Sequence, residues 1–348
     1  MSDASAAGGG PEEFPPVSFV MPALNEELHI ASAIHGLLAQ DYDGLVEIVV
    51  AHGPSTDGTG AVLEALAASD QRIRAVDNPT GATPAGLNLA IDASRHDIVI
   101  RVDAHSILPP DYTRVAVRTL RETGAVNVGG VMNAVGTVAF EHAVAHAYGS
   151  RLGLGGTAHH VGGTAGPAET VYLGVFRRSA LLAVGKFDED YRRGQDWELN
   201  QRLREAGGVV WFTPELSVTY RPRSSYRALR KQFYSTGVWR GEIARRYESS
   251  RSLRYFAPPV LVVGLVLGTI AGLFGAITGP AWLLLGWLPV AGYLAGVVVA
   301  ALPVASAHGA NAGLWYLVVL PTIHLSWGLG FMAGFARLTK QISEYTGR

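Results

Sequence analysis

The 348-residue chain contains no cysteine. That excludes a disulfide framework, a thiolate metal site and a cysteine nucleophile. Charge is missing more selectively: residues 255–336, 82 in a row, hold no Asp, Glu, Lys or Arg. Soluble surfaces need charged side chains, so this stretch excludes a wholly soluble protein. The amino terminus, MSDASAAGGGPEEFPP, has neither a basic start nor an apolar core. It therefore does not read as a secretory signal, and residues 1–14 are expected to be a disordered leader. An excess of positive charge is also lacking. With 28 Lys+Arg against 29 Asp+Glu, the chain does not read as a nucleic-acid binder.

What is present is unevenly distributed. Residues 1–220 carry 15 basic and 26 acidic side chains, whereas residues 221–254 carry 10 basic and 2 acidic, a local net of +8. Within the acidic part, Val/Ile-rich runs at 17–24, 46–53, 73–78 and 97–105 alternate with helical spacing, as at 83–94. This alternation predicts a parallel sheet covered on both faces, with ligands outside the carboxyl ends of the strands. Pro22, Ala23, Asn25, His52, Asp57, Asn78, Asp103 and His105 all fall at those ends. The Gly-rich stretch 150–170 reads as a long loop or lid. Residues 224–248 combine helical spacing with Arg and aromatic residues, the pattern of a helix lying on an anionic membrane surface. Apolar blocks at 258–278, 282–304 and 313–336 follow, each about 20 residues and long enough to cross a bilayer. The Arg cluster before the first block places that end in the cytosol. Three crossings would put Arg337 and Lys340 outside, against the positive-inside tendency. Block length favours three spans; one interfacial or re-entrant block is the alternative.

Four segments carry candidate chemistry, each with a plainer alternative. Asp103-Ala104-His105 offers a carboxylate and an imidazole to a divalent cation, or simply ends a strand in a turn. Pro54-Ser55-Thr56-Asp57-Gly58-Thr59 lines a nucleotide base, or caps the next helix. Gln195-Asp196-Trp197-Glu198 opens an amphipathic helix. There Asp196 is either a proton acceptor or a charge complementing the helix dipole. In the segment 232–240, Arg240 is a phosphate clamp and Trp239 a platform for a sugar ring, or both anchor a helix at the membrane. His159 and His160 read as loop residues, and His142 and His146 as a polar helix face rather than a metal pair.

In this order, Pro22-Ala23-Leu24-Asn25-Glu26, Ser55 to Thr59, Asp103 to His105 and Gln195 to Leu199 resemble glycosyltransferase family 2, and within it the membrane-bound succinoglycan-glucosyltransferase branch, found mainly in bacteria. The resemblance implies a GT-A fold, Rossmann-like with a mostly parallel central sheet, over residues 15–223. A basic membrane-surface segment (224–254), a transmembrane region (255–337) and a short tail (338–348) would follow. It implies inverting transfer of one sugar from a nucleotide-diphosphate sugar to a hydroxyl of a lipid-linked saccharide. The catalytic domain would sit on the cytosolic side of the inner (plasma) membrane, in contact with its lipids. Asp196 would be the general base, and Asp103 and His105 would hold Mg²⁺ or Mn²⁺. Pro22, Ala23, Asn25, Glu26, His52, Asp57, Asn78, Asp103 and Arg240 are assigned to the donor, and Gly174, Gln195 and Trp239 to the acceptor.

Two departures stand out. His52 replaces an acid that the family places near the nucleotide base. The Gln-x-x-Arg-Trp pattern of processive synthases is also broken, since Phe233, Tyr234 and Ser235 follow Gln232. The break favours single addition. A processive synthase and a non-catalytic nucleotide-sugar-binding protein are the alternatives.

Overall fold

The computed structural model describes residues 14–154, 156–191, 194–247, 251 and 253–338. The expected leader lies outside them except for Phe14, which packs edge-on against the Tyr42 ring at 5.4 Å between centroids. The expected tail lies outside them except for Leu338, and Lys340 is outside too.

The first half alternates β1 (Val17–Ala23), α1 (Ile30–Leu38), β2 (Val46–His52), α2 (Thr59–Ser69), β3 (Ile73–Asp77), α3 (Thr83–Ala93), β4 (Ile98–Arg101), α4 (Tyr112–Thr123) and β5 (Asn127–Ala134). Then come α5 (Ala139–Tyr148), the single turns α6 (Arg151–Leu154) and α7 (Ala158–Val161), β6 (Gly166–Pro167), β7 (Tyr172–Arg177), α8 (Arg178–Ala183), α9 (Gln195–Glu205), β8 (Val210–Tyr220) and α10 (Tyr226–Arg246). The apolar helices α11 (Ala257–Thr278), α12 (Trp287–His308) and α13 (Ala310–Phe335) follow.

The strands form one sheet in the order β3-β2-β1-β4-β7-β5-β8-β6. The first four are mutually parallel. β7 runs against both its neighbours, β5 and β8 are parallel, and β6 is an antiparallel edge. Apolar residues of α1, α2 and α4 cover one face of the sheet, and those of α3, α8 and α9 the other. This double cover explains why the strands are near-continuous Val/Ile runs. A polar exception ties strands together: buried Glu47 accepts from Ser18 Oγ at 2.6 Å and faces Arg74 Nη2 at 3.1 Å.

Three expectations are corrected. The stretch 150–170 is not wholly loop, because α6, α7 and β6 interrupt it. His142 and His146 do not form a solvated polar face: His142 stacks on His308 of α12 at 4.5 Å, and His146 meets the edge of Tyr316 of α13 at 5.6 Å. The basic segment does not simply rest on a membrane. Much of α10 is buried, packed along α13. The packing is backbone-close because Gly237 and Gly241 of α10 face the carbonyls of Trp327 and Phe331, while Gly330 and Gly334 of α13 face those of Tyr234 and Val238. Two small-xxx-small faces thus lock together. The exposed basic residues Arg227, Arg230 and Lys231 remain at the start of this helix, with exposed Arg223 just before it.

Among the described residues, three helices are long and apolar enough to cross a membrane: Leu253–Thr278, Ala281–His308 and Ala310–Phe335. The first two are largely open on their surfaces, whereas half of α13 is buried. One core joins α5 and α10 to α12 and α13, through residues such as Phe140, Val144, Phe233, Val304 and Tyr316.

Candidate active site

β4 stops at Arg101, and the backbone turns so that Ser106 N donates to Asp103 O at 2.9 Å. Asp103, Ala104 and His105 therefore stand just beyond the strand end, beside the exit of β1, whose Val20 carbonyl accepts from Val102 N at 3.0 Å. His105 Nδ1 lies 3.1 Å from Glu26 Oε1. A carboxylate at one imidazole nitrogen is the orienting contact that metal-ligating histidines characteristically have. Among the described residues no three His, Asp or Glu side chains cluster as a metal cage. Mg²⁺ and Mn²⁺ often take only one or two protein ligands and fill the remaining positions with phosphate oxygens and water. One carboxylate and one imidazole fit such an ion held against a diphosphate.

The β1–α1 and β2–α2 loops are laced together. Asn25, at φ 56, accepts from Thr56 N through Oδ1 at 2.8 Å and donates its own N–H to Ser55 Oγ at 3.0 Å. Glu26 N donates to Thr59 Oγ1 at 2.8 Å. Asp57 accepts from Thr59 N at 3.1 Å and Glu27 N at 3.2 Å. The hydrogen bond from Thr59 Oγ1 contributes most to holding the Asp57 carboxyl below the ordinary aspartate value. Asp57 therefore braces the two loops at the start of α2, whose N-cap position is Gly58. His52 Nε2 sits 3.2 Å from Ser55 Oγ. Pro22, Ala23 and buried Asn78 line a small recess with Leu24, Gly81 and Thr83 at the strand ends.

Gly194 begins α9 with φ +71, and a Cβ there would strike the Trp239 indole. Glycine is needed both for the left-handed backbone and for the close ring. Asp196 follows in the first turn, its side chain 25% exposed. Burial pushes its carboxyl above the ordinary aspartate value, and the neighbouring Arg101 guanidinium pulls the other way. Arg101 Nη1 pairs with Asp196 Oδ1, while Arg101 Nη2 donates to Asp103 Oδ1 at 3.1 Å. The two motif carboxylates therefore lie within the span of one guanidinium. Glu198 is elsewhere: it is buried and paired with Arg202, whose Nη2 donates to Lys186 O at 2.7 Å, so it fastens α9 to the preceding loop. Gln195 is buried at the same helix start.

Asp196, Gly194 and Trp239 line a cavity of about 550 Å³ between the sheet domain and the apolar helices. Ala257, Pro258 and Leu261 of α11 and Ile323 and Trp327 of α13 supply its apolar wall. Arg240 lines this cavity, not the recess at Pro22 and Asn78. It is 2% exposed, with its guanidinium 3.9 Å from the Trp197 ring centroid and 3.4 Å from that of Tyr255. Burial lowers its pKa to about 10, so it stays charged near neutrality. Gly174 is not brought to the cavity: it is buried within β7 at φ +143, against the Phe176 ring and Asn127. His159 and His160 are wall residues rather than free loop residues, and burial lowers the His159 pKa to about 4.

Sequence reasoning missed Arg101, Arg254 and Tyr255. The first had a signal: a cation inside the buried run 98–102 needs an anionic partner.

The model of the family described as Glycosyl transferase family 2 matches residues 18–185. The chain is also 32% identical, over 317 residues, to the succinoglycan biosynthesis protein ExoA of Rhizobium meliloti, covering 90% of this chain and 92% of that one. The chain belongs to glycosyltransferase family 2. A further family relative, at 26% identity over 66% of this chain and 74% of its own, is the dolichyl N-acetyl-alpha-D-glucosaminyl phosphate 3-beta-D-2,3-diacetamido-2,3-dideoxy-beta-D-glucuronosyltransferase of Methanococcus voltae. Among solved structures, the mannosyltransferase PcManGT of Pyrobaculum calidifontis, in complex with GDP-Man and Mn²⁺, superposes with a TM-score of 0.60 at 19% identity, over 92% of this chain and 87% of that one. The fold is thus the GT-A fold of this family, with apolar carboxyl-terminal helices added.

Proposed function

We propose that this glycosyltransferase moves a single sugar from a nucleotide-diphosphate sugar to a hydroxyl of a lipid-linked saccharide, with inversion, at the cytosolic face of a bacterial plasma membrane. One observation carries the reading. Asp103 and Asp196 come from separate motifs, meet on Arg101, and the second of them faces a cavity that runs to the apolar helices.

The strand-end surface around Pro22, Ala23 and Asn78 is where the nucleoside would lie. Asp103 and His105 would hold Mg²⁺ or Mn²⁺, which when bound supplies positive charge against the departing diphosphate. Asp196 takes the proton from the acceptor hydroxyl as it attacks the anomeric carbon. A single displacement needs one base and no enzyme nucleophile, which matches the position of Glu198 away from the cavity. The burial that raises the Asp196 pKa makes it a better base than an exposed aspartate.

The acceptor lipid enters between α11 and α13, where the cavity wall is apolar. Arg151 and Arg254 on the same wall suit its phosphate groups, and Trp239 suits its sugar. The names of the Rhizobium and Methanococcus relatives, one in polysaccharide synthesis and one acting on a dolichyl-phosphate sugar, support this acceptor class.

The test is a donor panel given to the purified chain with a short-chain polyprenyl-diphosphate sugar and Mn²⁺ or Mg²⁺. Nucleoside diphosphate release matched by an acceptor heavier by one sugar is the expected result. A ladder of products would indicate a processive synthase instead, and no transfer from any donor would overturn the reading.

A further inference from the structure

β4 reads Ile98-Ile100 in apolar register and then ends in Arg101, a cation whose side chain is 6% exposed. Buried arginine persists when its charge is met, and here it is met twice, by Asp103 and by Asp196. Tyr172 and Tyr112 also feel its charge.

We infer that Arg101 is a positioning residue shared by the metal ligand and the base, holding one oxygen of each carboxylate and setting the charge balance between them. The inference rests on the roles proposed above for Asp103 and Asp196. The physical consequence has a definite sign. With Asp196 ionised against it, the guanidinium is largely neutralised, and Asp103 can serve a divalent cation. With asparagine in place of Asp196, the full positive charge of Arg101 stands 3.1 Å from Asp103 Oδ1 and opposes a second cation there. With glutamine in place of Arg101, that opposition vanishes, but Asp196 loses the contact that orients it.

The test titrates Mn²⁺ alone into the full chain in detergent, following the EPR signal of the free ion, alongside transfer kinetics. Arg101→Gln is expected to bind Mn²⁺ about fivefold tighter or more, while kcat falls about a hundredfold and the donor KM does not rise. A residue with a merely structural role would weaken both. Arg101→Lys keeps the charge and is expected to hold Mn²⁺ as the parent does, with part of kcat restored. Asp196→Asn is expected to weaken Mn²⁺ binding several-fold, although Asp196 is not among the proposed metal ligands. Equal or weaker Mn²⁺ binding by Arg101→Gln, or undiminished kcat, overturns the inference. If that variant does not fold, unchanged Mn²⁺ binding by Asp196→Asn overturns it. A parent chain that neither binds Mn²⁺ nor transfers sugar overturns the functional reading as well, whereas an active, Mn²⁺-binding parent with an indifferent Arg101→Gln overturns only the role of Arg101.

Discussion

Asp103, beyond the exit of β4, and Asp196, in the first turn of α9, are joined through the two terminal nitrogens of Arg101. Neither carboxylate is placed by its own motif alone. β4 fixes the guanidinium in the sheet, and the left-handed Gly194 brings α9 down onto it.

The pH profile follows from that burial. A general base works only when ionised, so kcat should fall as pH drops through the Asp196 pKa. Because burial raises this pKa, the acid limb should lie above the ordinary aspartate value of about 3.9. Asp196→Asn should cut kcat about a hundredfold to ten-thousandfold and remove the acid limb, with donor binding retained at saturating metal ion. An unchanged limb in that variant would assign it to another group.

Gly194 should tolerate no side chain. Gly194→Ala places a Cβ in the left-handed region, costing about 1–2 kcal/mol, and pushes it into the Trp239 ring. The melting temperature should fall and the acceptor KM should rise, because Trp239 lines the cavity. A change in donor KM alone would contradict this placement.

The α10–α13 contact should be intolerant of bulk. Gly237→Leu or Gly241→Leu drives a side chain into the α13 backbone at Trp327 or Phe331. Overpacking of this kind costs about 1–3 kcal/mol. Thermal unfolding in detergent should report the loss, whereas Gly264→Leu, where a Cβ meets nothing within 4 Å, should be nearly silent.

Both ends of α13 touch the sheet domain or the segment leading from it. Near its start Trp315 meets Phe140 at 5.3 Å, and near its end Phe335 meets Phe256 at 6.2 Å. The carboxyl end of α13 should therefore lie on the same side of the membrane as the catalytic domain. The chain has no cysteine, so single-cysteine variants at Leu338 and at exposed Asp41 report cleanly. A membrane-impermeant maleimide should label both from the same side of sealed vesicles. Labelling from opposite sides would instead support three complete crossings.

Much of this protein is written in local pattern. Val/Ile runs separated by helical spacing determine a covered, largely parallel sheet, because a strand buried on both faces must be apolar throughout. Turn chemistry places Asn25, Asp57 and Asp103 at strand exits, and an 82-residue stretch without charge determines helices that avoid water. What tertiary structure decided is which of these distant pieces share a charge or a surface. Arg240 pairs with rings of Trp197 and Tyr255 rather than with the nucleotide recess, and Gly174 is consumed by the sheet. The glycine pairs of α10 and α13 become a contact only when the two helices meet. The physical reason is range: burial and helix period act over a few residues and leave a trace in them, whereas an ion pair or a cavity wall depends on where the folded chain returns.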